Sequence, residues 1–131
     1  MPKLTPPVTS GPNPVGAYSV AAEANGFVFL SGQVALDPAT NAPIEGDITA
    51  QAERVMENVG LILGDLGLGF EDIVKTSIFL ADIGDFGAVN AVYGARFPDA
   101  PPARSTFQVA GLPAGFGVEI EVIAARREES R

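Results

Sequence analysis

The chain contains neither histidine nor cysteine, which removes imidazole bases, thiol nucleophiles, disulfides and the common zinc ligand sets from its inventory. Any chemistry must run on carboxylates, arginine, hydroxyls and backbone groups. The most informative arrangement of these lies toward the C-terminus. In Arg104-Ser105-Thr106-Phe107-Gln108-Val109 the polar positions 104, 106 and 108 alternate with apolar ones, and in Val118-Glu119-Ile120-Glu121-Val122 the two acids share a face. If these segments pair as strands, Arg104 and Glu119 face one space. A guanidinium not consumed by protein carboxylates is a bidentate seat for a small carboxylate ligand and stays charged when buried. A neighbouring acid can orient and deprotonate a water. Together they describe hydrolysis of a group attached beside a carboxylate. The same spacing also describes a cross-strand ion pair on a solvated face, worth about 0.2–1 kcal/mol, and spacing alone favours that plainer role.

The elements that must position these residues follow from periodicity. Residues 1–16 carry Pro2, Pro6, Pro7, Pro12 and Pro14 with Gly11 and Gly16, a density that predicts an extended arm, either a loose tail or a strap tied to the body. Tyr18–Ala24 and Gly26–Val34 are rich in β-branched and aromatic residues around Asn25-Gly26, the signature of a two-residue hairpin. Residues 37–46 read as loop. Ile48, Ala52, Val55, Val59, Ile62 and Leu66 recur at helical spacing, with Asp47 placed to cap and Gly67 to stop. A strand over Ile73–Ala81 is followed by a second helical pattern over Asp85–Phe97, weakened by Gly87 and Gly94. Strands over Arg104–Ala110 and Val118–Arg126 complete a β-β-α-β-α-β-β order, a single α+β domain over 1–131.

Two helices cover only one face of a sheet of this size. Phe27-Val28-Phe29-Leu30 and Ile78-Phe79-Leu80 are apolar at consecutive positions, so both faces of the sheet are apolar and the uncovered one calls for copies of the same chain. A formal charge of −8 disfavours nucleic acid as a partner. The N-terminus lacks the apolar stretch of a signal peptide and no apolar run is long enough to span a membrane, so the expected location is the cytoplasm. The Ala125-Arg126-Arg127-Glu128-Glu129 tail reads as solvated.

Several segments resemble the RidA/YjgF family, in order and over nearly the whole chain. These are Gly16-Ala17-Tyr18-Ser19, Ser31-Gly32-Gln33, Gln51 with Asn58, Asp85-Phe86 with Val89-Asn90 and Tyr93, Pro102-Ala103-Arg104-Ser105, and Val118-Glu119-Ile120-Glu121 with Ile123-Ala124. The resemblance implies a chorismate-mutase-like fold, a homotrimer whose inner sheet faces meet, and clefts between subunits. It implies hydrolysis of 2-imino acids to 2-keto acids and ammonia without a cofactor or metal. Carried over by position, Arg104 grips the substrate carboxylate and Glu119 positions the attacking water. Backbone groups at Thr106 and Gly32 complete the seat, and Tyr18, Ser31 and Asn90 line it. Thr106 stands where many members have cysteine, and Ala17 where proline is usual. The alternatives are a non-catalytic module that binds small carboxylates in the same cleft, and the RNA-cleaving or translation-inhibiting role attached to some relatives.

Overall fold

The computed structural model describes residues 2–127. Strand β1 (Ala21–Ala24) and strand β2 (Phe27–Gln33) form the expected hairpin. Asn25 and Gly26 at its tip both take positive φ, 54° and 81°, the paired left-handed conformation whose twist matches that of the flanking strands. Helix α1 spans Ile48–Asp65, and the Asp47 carboxylate accepts from the Ala50 amide, satisfying one of the free donors of its first turn. Gly67 follows with φ 75°, and the Leu68 amide donates back to the Leu63 carbonyl, a left-handed glycine termination. Strand β3 (Ile73–Leu80), helix α2 (Phe86–Gly94), strand β4 (Ala103–Gln108) and strand β5 (Val118–Ala125) complete the chain. The expected order is therefore observed, with α2 three residues shorter at its C-terminal end than its periodicity suggested. Gly94 lies at that end, where little intrinsic propensity supports another turn.

The sheet order is β1-β2-β5-β3-β4. All neighbours are antiparallel except β3 and β4, which run parallel, so the sheet is mixed. Both helices pack on one face. Val55, Val59, Ile62 and Leu63 of α1, with Val89 and Tyr93 of α2, bury against Val28, Leu30, Ile78, Leu80, Ile120 and Val122. The opposite face is open: Phe27 and Phe29 are each 46% exposed and Phe107 is 53% exposed. This is the second apolar face expected from the unbroken apolar runs on β2 and β3.

The N-terminal arm is a strap. Leu4 exchanges two backbone hydrogen bonds with Glu23 at the edge of β1. Asp65, the last residue of α1, then accepts from the Thr9 amide (2.9 Å), the Ser10 amide (2.8 Å) and the Ser10 hydroxyl (2.6 Å). Gly11 passes so close to Ile62 that a Cβ there would lie 2.8 Å from its Cγ1. The C-terminal arginines are exposed, as expected, but they are also paired. Arg126 forks onto Glu23 (2.6 and 3.0 Å) and donates to the Leu66 carbonyl, while Arg127 pairs with Asp72 and Glu71. Both ends of the chain are thus tied to the same corner of the sheet. The remainder of the tail, from Glu128 onward, lies outside the described residues.

The three donors on Asp65 hold its carboxyl below the ordinary aspartate value. Because the folded-state value is depressed, this pin contributes above the ordinary value and is lost as pH falls through the depressed one. Asp65→Ala at neutral pH should expose the strap to limited proteolysis between residues 2 and 16 while leaving the helical circular dichroism unchanged. Cleavage no faster than in the parent chain would contradict the assignment of Asp65 as the pin.

Candidate active site

The sequence suggested that Arg104 and Glu119 sit on paired strands and share a face. Neither holds. Strand β3 lies between β4 and β5, with Arg104 opposite Thr76 and Glu119 opposite Phe79. Thr76 and Phe79 are three positions apart on an alternating strand, so their side chains leave opposite faces of the sheet. Arg104 projects toward the helices and Glu119 toward the open face. Two strand spacings, about 10 Å, also separate their strands.

Each residue is the centre of its own half-site. On the helix side, Arg104 Nη1 donates to Asn90 Oδ1 (2.6 Å). Its guanidinium carbon stands 5.3 Å from the Phe86 ring centroid and 5.1 Å from that of Tyr93, within the range of cation–π attraction. Phe86, Asn90 and Tyr93 occupy positions i, i+4 and i+7 of α2 and therefore form one stripe aimed at β4. Tyr93 is itself anchored by a 2.7 Å hydrogen bond between its hydroxyl and that of Thr76, and burial pushes its phenol pKa upward. Arg104 is thus oriented on several sides, yet among the described residues no carboxylate lies within ion-pairing distance of it. Thr106, two positions along β4 on the same face, has a buried hydroxyl without a hydrogen-bond partner.

On the open side, a cavity of about 600 Å³ brings together Tyr18, Ser31, Gly32 and Glu119. A register shift between Leu30 and Gln33 inserts one extra residue into β2 opposite β5, a bulge that places Ser31 and Gly32 beside Glu119. Gly32 lets the Glu119 carboxylate lie against the backbone, and a Cβ there would displace it. The Ser31 hydroxyl is spent on the Ser19 carbonyl (2.7 Å), and the Tyr18 hydroxyl accepts from the Val15 amide (3.2 Å). Glu119 has its pKa raised, first by burial and then by the neighbouring charge of Glu121. Glu121 itself is exposed on the open face. Among the described residues no group of three acidic side chains is close enough to hold a metal ion.

Of the residues singled out in the sequence, the fold therefore joins Tyr18, Ser31, Gly32 and Glu119 in one place and Arg104, Asn90 and Thr106 in another. Gln51 and Asn58 are structural: Gln51 accepts from the Gly117 amide, and buried Asn58 donates to the Leu36 carbonyl. Phe86 and Tyr93 entered as helix-face residues and as parts of the family-like segments, without a role beside Arg104, and their 86/90/93 stripe was the available sign that they act with Asn90.

The family model described as Endoribonuclease L-PSP matches residues 8–126. The chain belongs to the RidA/YjgF family. It is 53% identical to Protein DfrA of Myxococcus xanthus over 86% of this chain and 88% of that one. It is 42% identical to the mouse 2-iminobutanoate/2-iminopropanoate deaminase over 90% of this chain and 87% of that protein. The crystal structure of E. coli TdcF with bound serine superposes with a TM-score of 0.86 at 36% identity, covering 92% of this chain and 97% of that one. The RidA/YjgF fold thus extends to this chain, including the two-helix layer and mixed sheet that create the half-sites.

A buried hydroxyl without a partner costs about 1–3 kcal/mol relative to an apolar group of the same shape. Thr106→Val should accordingly leave the unfolding free energy unchanged or raise it by about 1 kcal/mol in a urea titration. A loss of stability would mean that the Thr106 hydroxyl is satisfied in the folded protein.

Proposed function

We propose that this chain hydrolyses small 2-imino acids to 2-keto acids and ammonia, in clefts that form only where copies of the chain meet. The reading rests chiefly on one observation: Arg104 is oriented by Asn90, Phe86 and Tyr93, yet among the described residues no carboxylate pairs with it. A permanent cation held in that way is a seat for the carboxylate of a ligand. Serine, bound in the crystal structure of the relative TdcF, is a ligand of that class, and the imine deaminase named among the mammalian relatives acts on molecules of that class.

In this reading Arg104 of one chain fixes the substrate carboxylate, and Glu119 of another holds a water against the imine carbon. Glu119 takes a proton from the water as its oxygen bonds to that carbon. The proton passes to nitrogen to give a carbinolamine; Glu119 then takes the hydroxyl proton and passes it to nitrogen as the carbonyl forms and the carbon–nitrogen bond breaks, so that the products are the 2-keto acid and ammonia. A raised pKa suits an acid that must first accept and then donate. Backbone groups at Gly32 and Thr106 complete the seat, and Tyr18, Ser31 and Asn90 line it. The imine is already electrophilic, so positioning and proton transfer suffice without a cofactor. The exposed phenylalanines of the open face supply the contact between copies, in the trimer that the family resemblance implies.

The bound serine in TdcF also favours a second reading, in which the cleft senses small amino or keto acids without turnover. The Endoribonuclease L-PSP description of the family is a weaker guide here, because a net charge of −8 works against binding a phosphate backbone and the chain has no histidine to serve as an imidazole base.

Trapping 2-keto acid precursors with semicarbazide while a pyridoxal-phosphate dehydratase generates 2-iminobutanoate separates these readings. Arg104→Ala should lower kcat/KM by about a hundredfold or more through loss of orientation. In the parent chain kcat/KM should fall on the acid side through a pKa above the ordinary glutamate value, because Glu119 must be ionised to act. Glu119→Gln should remove that limb together with most of the rate. Ligand binding with no acceleration of imine loss would favour the sensor instead, and parent-like rates in Arg104→Ala would overturn the assigned role.

A further inference from the structure

The cavity beside Glu119 has a second property that catalysis on the smallest imino acids does not use. Its volume of about 600 Å³ falls within the range of pockets that hold drug-sized ligands, whereas 2-iminopropanoate carries only a methyl side chain. Asn13, Gln33 and Glu121 also line the cavity, but much of the remaining wall is apolar. Pro12 and Val15 come from the strap, Leu36 from the segment after β2, and Pro113 and Phe116 from the β4–β5 loop. The strap side is held in place rather than draped. Asp65 pins Thr9 and Ser10, the Asn41 side chain accepts from the Asn13 amide (2.9 Å), and the Tyr18 hydroxyl accepts from the Val15 amide. Val15 is nevertheless 73% exposed, so an apolar side chain is fixed at the cavity rim largely uncovered by the described residues. A preorganised apolar wall of this kind gains most from a ligand that carries matching apolar surface.

We propose that the strap, through Val15 and Pro12 and together with Pro113 and Phe116 of the same cavity, forms a side-chain subsite that selects 2-imino acids with branched or aromatic apolar side chains over those with a methyl group. The inference rests on the deaminase reading and adds a specificity to it. Asp65 acts on this specificity at a distance, as a positioning residue: it touches only the strap, and the strap forms the wall. Extra methylene groups in such a pocket are discriminated by roughly tenfold or more.

The test compares imines generated by an amino-acid oxidase from alanine, leucine and phenylalanine, with semicarbazide trapping, for the parent chain, Val15→Ser and Asp65→Ala. The parent chain should show a kcat/KM for the leucine-derived imine about tenfold or more above that for the alanine-derived one. Both substitutions should reduce this ratio toward unity, chiefly through a higher KM for the leucine-derived imine. A parent ratio of one or less, or a ratio unmoved by both substitutions, overturns the subsite while leaving the deaminase reading intact. A ratio unmoved alongside a changed oligomeric state on gel filtration also overturns it, since the apolar wall would then serve contact between copies. If no imine is hydrolysed faster than in buffer, the deaminase reading fails and the subsite with it.

Discussion

The insertion of β3 between β4 and β5 governs what this molecule can do. Side chains alternate along a strand with a period of two, so the register of Thr76 with Arg104 and of Phe79 with Glu119 sends the cation and the acid to opposite faces of one sheet. Each face then gives its residue a different environment. The helix side surrounds Arg104 with the aromatic rings and amide of α2, which orient a cation without neutralising it. The open side half-buries Glu119 beside a bulge and another acid, which raises its affinity for a proton. Uncombined, the two half-sites are a carboxylate seat with no base and a base with no seat. The proposed hydrolytic site would combine them across copies of the chain, with the exposed apolar face as the surface through which copies would associate.

Much of this architecture was legible from residue order. Asn25-Gly26 marked the hairpin because few other pairs tolerate two consecutive positive φ values, and Asp47 and Gly67 marked the ends of α1 through the capping needs of free backbone groups. The unbroken apolar runs on β2 and β3 announced a sheet with two apolar faces, and the structure leaves one of them uncovered. Other features depend on contacts between residues far apart in sequence. Periodicity reports which residues of a strand share a face but not which strands become neighbours, so the pairing of β4 with β3 was invisible and the common face expected for Arg104 and Glu119 was wrong. Arg126 and Arg127 are exposed as expected, but their pairing was not legible because their partners Glu23 and Asp72 are 103 and 55 residues away.

The candidate site divides along the same line. Arg104 and Glu119 stood out by type and alternation, and Tyr18, Ser31, Gly32, Asn90 and Thr106 entered through the family resemblance. What the sequence did not disclose is the supporting structure around them. The bulge that brings Gly32 against Glu119, the aromatic pair on Arg104 and the strap that walls the cavity all arise from tertiary packing. The proline-rich arm is the clearest case, since composition forbade regular structure there but could not distinguish a tail from a strap. Three hydrogen bonds to Asp65 decide the matter.

Subunit mixing tests the two-chain site most directly. Arg104→Ala and Glu119→Gln chains, each inactive alone, are unfolded together, refolded as a mixture and assayed for imine hydrolysis. Random assembly pairs an intact arginine with an intact glutamate at about a quarter of the contacts between copies, so the mixture should recover about a quarter of the parent rate. A mixture as inactive as either component, despite confirmed co-assembly, would mean that the two residues do not work together across copies of the chain.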